Sequence, residues 1–240
     1  MFRTIGIVQA RMGSTRFPGK CLEPLWDGKS LLEIVLMRVR RAKALDLVVL
    51  ATSDRSNDDE LVPIAECLGI PVFRGAEQDV LSRFLGALKS FPAEAIVRIC
   101  ADNPLVDPVE IDNLVKFFRQ SQPCDYACND DKLDCGLPDG VGTEIFSSRT
   151  LKRLDEIVSG ELREHVANYA ARHPDEFRLG RLEAQGSLKR PKIRLDVDYP
   201  EDLEFIRRLT ERMEPKNAPY WTALEAIEAY DSMGALAGRV

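Results

Sequence analysis

Residues 4–20, TIGIVQARMGSTRFPGK, join an apolar run to a loop that contains glycines and cations. The run from Thr4 to Ala10 is nearly all apolar, which is typical of a parallel strand covered on both faces. Glycines in the loop that follows let backbone N–H groups point inward toward an anion. The stretch therefore predicts the first strand of an α/β sheet and, at its carboxyl end, a phosphate-binding loop.

The chain continues as an alternation of strands and helices. Apolar runs recur at 47–51, 70–73 and 95–101, and amphipathic stretches lie at 30–44, 58–68, 79–89 and 107–119. A capping box at 30–33 and Asp107 before Pro108 mark two helix starts. This order favours right-handed crossovers in a mostly parallel sheet, with ligands beyond the carboxyl ends of the strands.

The alternation changes after Gln120. Prolines and glycines among short extended pieces predict an inserted β-rich arm at 122–148. Further helices are expected at 149–158, 161–173 and 200–214, and further strands at 177–183 and 192–197. The last strand is expected to rejoin the main sheet, so that residues 1–240 form a single domain.

Composition narrows the class of protein. The 240 residues are 45% hydrophobic, and 33 basic against 39 acidic side chains leave a net charge of −6. A duplex-binding protein is usually more basic, so nucleic acid is not expected as a partner. Because the chain shows no signal-peptide pattern, no membrane-length apolar run and only scattered cysteines, we expect a cytoplasmic protein with reduced thiols and no membrane contact.

The loop after the first strand carries three cations, Arg11, Arg16 and Lys20, which together can neutralise a triphosphate. Gly13 and Gly19 supply the backbone freedom for an anion cradle. The loop is not a Walker motif, because neither serine nor threonine follows its glycine–lysine pair. A solvated basic turn after an edge strand is the alternative interpretation.

Aspartates follow two of the predicted strands. Asp102 precedes Pro104, so its carboxylate is expected at the same edge as the loop, either binding Mg²⁺ or capping a turn. Asp196 and Asp198 are two residues apart and share one side of a strand, so they could join Asp102 around the metal. Alternatively, Asp198 starts a helix.

Two further polar residues lie in unusual settings. Arg98 is within an apolar strand, where an unpaired charge is costly, so it is expected to pair with a carboxylate or a ligand phosphate. His165 follows Glu164 on a predicted helix and could bind substrate or shuttle a proton, although a surface role is commoner.

Seven segments, which begin with QARMGSTRFPGK at 9–20 and end with DVDYPEDLEFI at 196–206, follow one another along the chain. Together they resemble the spore-coat polysaccharide cytidylyltransferase family, a branch of the acylneuraminate and CMP-sugar synthetases. The resemblance covers nearly all of residues 4–210, and QARMGSTRFPGK at 9–20 is its most specific element. Supporting segments are VLATSD at 49–54, VFRGAEQDVLSRF at 72–84, ADNPLVDP at 101–108, LPDGVGTEIF at 137–146, REHV at 163–166 and DVDYPEDLEFI at 196–206.

The resemblance implies a three-layer α/β/α fold of the nucleotide-diphospho-sugar transferase type, CTP as donor, Mg²⁺ as cofactor and a homodimer formed through the arm. It assigns the nucleotide to Ala10, Arg11, Gly13, Arg16 and Lys20 at the triphosphate, and to Thr52, Ser53, Arg74 and Arg83 toward the cytidine. The implied metal ligands are Asp102 and Asp198, with Asp196 as an addition. The residues implied at the acceptor or a partner subunit are Asp139, Glu144, Glu164 and His165.

Three positions depart from the family pattern. Ala101 stands where glycine is usual, which changes the backbone freedom beside Asp102. Gly142 stands where aspartate is frequent and bears on the acceptor. Asp196 replaces a usual threonine and could add a metal ligand.

The predicted reaction joins CMP from CTP to a sugar acid or sugar-like acceptor and releases pyrophosphate, with Arg11, Lys20 and Asp102 as catalytic residues. One alternative is a glycosyltransferase of related fold, in which residues 196–198 form a D-x-D metal motif. Another is an inactive nucleotide-binding scaffold. The phosphate loop at the start of the chain favours nucleotidyl transfer over the first alternative, and the intact cations and aspartates argue against the second.

Overall fold

The computed structural model describes residues 2–234, in which strands and helices alternate along most of the chain. The strands are β1 (Thr4–Gln9), β2 (Pro24–Trp26), β3 (Lys29–Ser30), β4 (Leu47–Ser53), β5 (Val72–Gly75), β6 (Ala95–Cys100), β7 (Tyr126–Cys128), β8 (Glu144–Ser147) and β9 (Leu179–Arg181). The helices are α1 (Leu31–Val39), α2 (Leu61–Cys67), α3 (Val80–Ser90), α4 (Pro108–Gln120), α5 (Ser148–Ile157), α6 (Val166–Arg172), α7 (Pro200–Thr210) and α8 (Ala223–Ser232).

A seven-stranded sheet runs in the order β5-β4-β1-β6-β8-β7-β9, and β2 and β3 form a separate hairpin. β1 is parallel to β4 and β6, and β4 is parallel to β5. β8 is antiparallel to β6 and β7, whereas β9 is parallel to β7. The predicted, mostly parallel sheet is confirmed, and the carboxyl ends of β1 and β6 lie side by side at one edge.

Helices cover both faces of this sheet. α1, α2 and α4 pack with Val8 and Val97 on one face, while α3, α5 and α6 pack with Ile7 and Ile96 on the other. Successive residues of one strand therefore enter opposite cores, which explains why β1 and β6 are apolar almost throughout. α7 and α8 form a third cluster around Trp221, against one side of α1. The three-layer arrangement is confirmed.

The helices and strands predicted before residue 120 are found with shifted ends. The largest difference is α1, which ends at Val39 instead of near Ala44. The chain bends here because Ala44 N donates to Asp112 Oδ1 at 2.7 Å, which directs the following residues into β4 beside β1. The strand expected at 70–73 begins two residues later, as β5.

The segment 122–148 contributes β7 and β8 to the central sheet. Because β8 starts with Glu144 opposite Arg98 of β6, the loop from 129 to 143 lies at the edge where β6 ends. The segment thus extends the main sheet and also borders the ligand side of the protein. Its role in forming a dimer stays a prediction.

The strand expected at 192–197 is not formed, and this prediction is wrong. Arg194 makes an isolated bridge to Asp139, and Val197 N donates to Asp102 O at 2.8 Å. These partners belong to different loops, so neither contact extends into a ladder. The segment runs along the sheet edge and leads directly into α7.

The stretch expected as one helix at 161–173 also differs. It divides into a 3₁₀ turn, Gly160–Arg163, and α6.

The six cysteines are free, and Cys128 Sγ lies 3.7 Å from Cys135 Sγ. Across residues 2–234, no helix combines the length and apolar character that a membrane crossing requires.

Candidate active site

A cleft of about 740 Å³ opens where β1 and β6 end. Its walls come from the loop after β1, the loop after β5 with the start of α3, the loop after β6, the loop between β7 and β8, and the segments before α6 and α7. It is lined by twelve of the predicted site residues: Ala10, Arg11, Gly13, Arg16, Lys20, Arg83, Asp102, Asp139, Glu164, His165, Asp196 and Asp198. The structure therefore brings the cationic loop and the distant aspartates into one place.

The loop after β1 is fixed by a buried carboxylate, Asp58, that the sequence analysis missed. Asp58 accepts hydrogen bonds from Met12 N at 2.7 Å and from Thr52 Oγ1 and Ser53 N at 3.0 Å. Burial by itself raises the pKa of Asp58, but these bonds outweigh it and leave the pKa lowered. The charged carboxylate thus ties the loop to the end of β4. The acidic run at 58–60 indicated only a helix start.

Lys20 connects the loop to both distant aspartates. Gly19, at φ 77°, turns the chain so that Lys20 begins a 3₁₀ turn with its side chain inside the cleft. Lys20 Nζ donates to Asp102 Oδ2 at 2.9 Å and to Val197 O at 2.7 Å, and lies 3.6 Å from Asp198 Oδ1. Burial lowers the pKa of Lys20, but the charges of Asp102 and Asp198 outweigh burial and leave the pKa raised.

The interpretation of Asp198 as a helix-start residue is not supported. The N-cap of α7 is Tyr199, and Asp202 in the first turn accepts bonds from Asp198 N at 2.8 Å and Tyr199 N at 2.9 Å. The Asp198 carboxylate is directed to the cations of the cleft.

The other loop cations contact carboxylates across the cleft. Arg11 Nη2 lies 2.6 Å from Glu164 Oε1, and Arg16 Nη2 lies 2.8 Å from Asp198 Oδ1. Partly exposed pairs of this kind contribute little to stability and can exchange partners when an anion enters. His165 is exposed at the start of α6 and lines the same cleft. The loop is thus directed toward a shared cleft, as a phosphate-binding loop requires.

Arg83 places a second guanidinium beside Arg11. Its side chain is 2% exposed, and Nη1 donates to the carbonyls of Ala76 and Glu77 at 2.9 and 3.2 Å. Its Nε is buried without a hydrogen-bond partner among the described residues. Burial, followed by the charge of Arg11, lowers the pKa of Arg83 to about 10. Two adjacent guanidinium groups at a cleft wall favour an anionic ligand.

The opposite wall is acidic. Burial and the neighbouring Asp196 and Asp131 raise the pKa of Asp139 to about 6. Arg194 donates to both oxygens of Asp196, at 3.1 and 2.6 Å, and lies 3.7 Å from Asp139 Oδ2. Asp198 lies between this wall and the loop after β1, because its Oδ2 is 3.5 Å from Arg194 Nη2 and its Oδ1 is 3.6 Å from Lys20 Nζ.

The three-aspartate metal cluster suggested by the sequence is not formed. Within residues 2–234, no three His, Cys, Asp or Glu side chains are arranged to hold an ion together. Arg194 occupies both oxygens of Asp196, and it also lies 3.5 Å from Asp198 Oδ2. Asp102 and Asp198 remain as a pair around the Lys20 ammonium.

Four predicted site residues do not line the cleft: Thr52, Ser53, Arg74 and Glu144. Thr52 and Ser53 are buried and hold Asp58. Arg74 donates to the carbonyls of Ser53 at 2.9 Å and Arg55 at 2.7 Å, which binds β5 to the loop after β4. These contacts place Thr52, Ser53 and Arg74 behind the loop after β1, where they support the wall of the cleft.

Glu144 pairs with Arg98, so the expectation that Arg98 pairs with a carboxylate or a ligand phosphate is met by a carboxylate. Arg98 Nη1 donates to Glu144 Oε2, and Tyr126 Oη donates to Glu144 Oε1 at 2.8 Å. Arg98 itself lines the cleft. Glu144 therefore acts on the site through Arg98.

Two of the departures from the family pattern have a structural account. A Cβ at Gly142 would lie 2.8 Å from Asn129 O and 2.9 Å from Asp130 N, so the facing backbone fills the space that a side chain needs. Aspartate is incompatible with this close approach. Ala101 donates its N–H to Gln9 O at 3.1 Å, continuing the pairing of β6 with β1, and is buried.

The fold has three layers, with helices on both faces of one sheet. A cation-rich loop after the first strand faces aspartates from two later segments. This combination is that of a nucleotidyltransferase. Within that class, the cytidylyltransferase family model matches residues 5–226, and the chain belongs to this family.

The relatives agree with this assignment. The chain is 37% identical over 215 residues to the spore coat polysaccharide biosynthesis protein SpsF of Bacillus subtilis (strain 168), covering 86% of this chain and 85% of that protein. It is 30% identical over 242 residues to a 3-deoxy-manno-octulosonate cytidylyltransferase of Anaeromyxobacter sp. (strain Fw109-5), with coverages of 87% and 97%. A solved cytidylyltransferase structure from Leptospira borgpetersenii has a TM-score of 0.89 at 29% identity, covering 97% of this chain and 95% of that one. The family expected from the motifs is confirmed.

Proposed function

We propose that this chain transfers the cytidylyl group of CTP to a hydroxyl group of a sugar acid or sugar-like acceptor and releases pyrophosphate. The observation that carries the proposal is the contact of Lys20 with both Asp102 and Asp198 inside one cleft. Family membership and a relative named as a sugar-acid cytidylyltransferase support CTP as donor and a sugar acid as acceptor. A homodimer formed through 122–148 is part of the proposal, and sedimentation of the purified chain tests it.

Mg²⁺ is the proposed cofactor, with Asp102 and Asp198 as the residues that would hold it. These carboxylates fit a divalent cation, because the Lys20 ammonium already lies 2.9 and 3.6 Å from their oxygens. Magnesium sites commonly use one or two carboxylates together with phosphate oxygens. When bound, the ion would supply additional positive charge to the triphosphate.

The residues of the chain act mainly by positioning and by neutralising charge. Lys20, Arg11 and Arg16 exchange their carboxylate partners for triphosphate oxygens. The acceptor oxygen attacks the α-phosphorus in line, and the bond to the pyrophosphate oxygen breaks as the new P–O bond forms. Lys20 and Arg11 stabilise the charge that moves onto pyrophosphate. Asp139, with a pKa of about 6, is suited to accept the hydroxyl proton on the acceptor wall.

The glycosyltransferase alternative requires both aspartates of the D-x-D motif. In this structure Arg194 binds both oxygens of Asp196, so Asp198 alone of the two contacts Lys20. The alternatives also differ in product: a glycosyltransferase releases a nucleoside diphosphate, and an inactive scaffold releases nothing.

The test is to incubate the protein with Mg²⁺, each of the four nucleoside triphosphates and a panel of sugar acids, and to follow pyrophosphate. We expect release from CTP that depends on an acceptor, and a loss of roughly a hundredfold in Asp102→Asn. Asp27→Asn is the matched control, because Asp27 is 79% exposed and pairs with Lys29 on the surface. Near-normal turnover of Asp102→Asn would contradict the proposal.

A further inference from the structure

Arg98 is a buried cation in the cleft that does not belong to the phosphate-binding loop. It lies in β6 between β1 and β8, and its side chain is 13% exposed. Arg98 Nε donates to Gln9 Oε1 at 3.0 Å, and Nη1 donates to Glu144 Oε2. Tyr126 Oη holds the other oxygen of Glu144 at 2.8 Å. The guanidinium is therefore fixed in one orientation by partners on both sides.

This fixed group retains hydrogen-bond donors for a ligand. A guanidinium has five N–H donors in a planar fork. Gln9 and Glu144 accept from Nε and Nη1, and no residue between 2 and 234 accepts a bond from Nη2. Unpaired donors on a buried charge are costly, yet Arg98 lines the cleft and can be reached from it. These donors indicate a ligand that supplies an anionic oxygen.

The position of Arg98 favours the acceptor over the nucleotide. The cations assigned to the nucleotide lie on the loop after β1, in β5 and on α3, which packs against β4 and β5. Arg98 instead pairs with β8 on the opposite side of β1. The loop between β7 and β8 brings three more charged residues to this wall: Asp130, Asp131 and Lys132.

The charge of this wall restricts where an anion can bind. Asp131 and Asp139 repel a carboxylate but accept hydrogen bonds from sugar hydroxyl groups. Lys132 is exposed, whereas Arg98 is buried and fixed. A sugar acid therefore fits with its carboxylate at Arg98 and its hydroxyl groups toward the aspartates.

We propose that Arg98 binds the carboxylate of the acceptor and makes this chain select sugar acids over neutral sugars of the same size. The inference rests on the proposed cytidylyl transfer and adds the residue that determines the acceptor class. Glu144 and Tyr126 are positioning residues, because they orient the guanidinium. Since Glu144 already balances the charge of Arg98, recognition depends on directed hydrogen bonds to a planar group as well as on charge.

The test compares two acceptors that differ at a single group, 3-deoxy-manno-octulosonate and its C1 carboxamide, and repeats the comparison with N-acetylneuraminate. Pyrophosphate release from CTP gives kcat/KM for each acceptor. For the wild-type chain we expect a preference for the acid of roughly a hundredfold, as for a charge-assisted hydrogen bond. Arg98→Lys retains the charge without the fork, so the preference should fall by about tenfold or more while KM for CTP stays within about threefold.

A second variant tests the role of Arg98 without leaving a buried charge that could unfold the protein. Arg98→Met alone leaves Glu144 buried without its partner, so Arg98→Met is combined with Glu144→Gln, and thermal unfolding checks the fold. The double variant should lose the acid preference entirely and retain CTP binding in an equilibrium titration.

Four outcomes would overturn the assignment. Equal use of the acid and the carboxamide by the wild-type chain, or an unchanged preference in both Arg98 variants, removes the role of Arg98 and leaves cytidylyl transfer intact. Loss of the preference in Lys132→Met, and not in the Arg98 variants, gives the carboxylate to Lys132. Absence of pyrophosphate release from CTP with every acceptor refutes the proposed function, and this inference with it.

Discussion

Replacing Lys20 with methionine removes a cation that contacts both Asp102 and Asp198. Methionine keeps an unbranched apolar stem, so the change removes the ammonium group with little loss of packing. The bonds from Nζ to Asp102 at 2.9 Å and to Val197 O at 2.7 Å disappear. Two carboxylates then share a site without the cation between them.

The structure sets the expected size of the effect. Removing one partner of a buried ion pair costs about 3–5 kcal/mol, but Asp102 is 30% exposed and water partly solvates it, so we expect about 2 kcal/mol. For a chain of this length, that lowers Tm by about 4–8 °C. Because the fold raises the Lys20 pKa, the stability that the Lys20 ion pairs contribute is fully present below pH about 10. That stability is lost as pH rises through the raised pKa.

The change in Tm on adding Mg²⁺ distinguishes a metal site from a purely structural ion pair. If Asp102 and Asp198 hold Mg²⁺, the ion should raise Tm more in Lys20→Met than in the wild-type chain, because no ammonium competes for the carboxylates. At about 100 times its dissociation constant, a ligand adds about 2.7 kcal/mol to stability. Thermal unfolding with and without Mg²⁺ measures this difference, and pyrophosphate release should fall roughly a hundredfold or more.

Lys29→Met is the matched control, because Lys29 lies 3.3 Å from Asp27, which is 79% exposed. A surface pair of this kind contributes about 0–1 kcal/mol, so the control should unfold close to the wild type and keep its turnover. The reasoning fails if Lys20→Met unfolds like the control, or if Mg²⁺ shifts wild type and variant equally.

Three more predictions follow from the same cleft. Asp58→Asn should raise KM for CTP by about tenfold in initial-rate assays with less effect on kcat, because one amide oxygen cannot replace two carboxylate oxygens in holding Met12 N and the end of β4. Gly142→Ala should cost about 1–3 kcal/mol in thermal unfolding, since its Cβ meets Asn129 O at 2.8 Å. Below pH about 6, Asp139, which faces Arg194, Asp196 and Asp131, takes up a proton and can no longer accept one from the acceptor hydroxyl, so kcat should fall on acidification, and Asp139→Asn should lack this pH dependence.

Local patterns in the sequence predict the parts of the protein whose structure depends on local chemistry. The all-apolar runs of β1 and β6 indicate strands covered on both faces, and the glycines and cations of residues 9–20 indicate an anion loop at a strand end. The strands are found, and so is a glycine-containing loop after β1 whose cations line the cleft, because strand burial and loop conformation depend mostly on neighbouring residues. The same patterns misassigned 192–197 as a strand, since its alternation says nothing about which partners are available.

The remaining features of the site depend on contacts between residues far apart in the chain. Asp58 is indistinguishable in sequence from a helix-start residue until β4 and the β1 loop meet around it. The sequence did not show that Arg194 would bind both oxygens of Asp196 while Lys20 and Arg16 reach Asp198. The fold class and the cation-bearing loop after β1 were thus determined by the sequence alone, through local periodicity and turn chemistry. The pairing of each buried charge was decided only by the tertiary structure, because a charge removed from water takes whichever partner packing brings within hydrogen-bond distance.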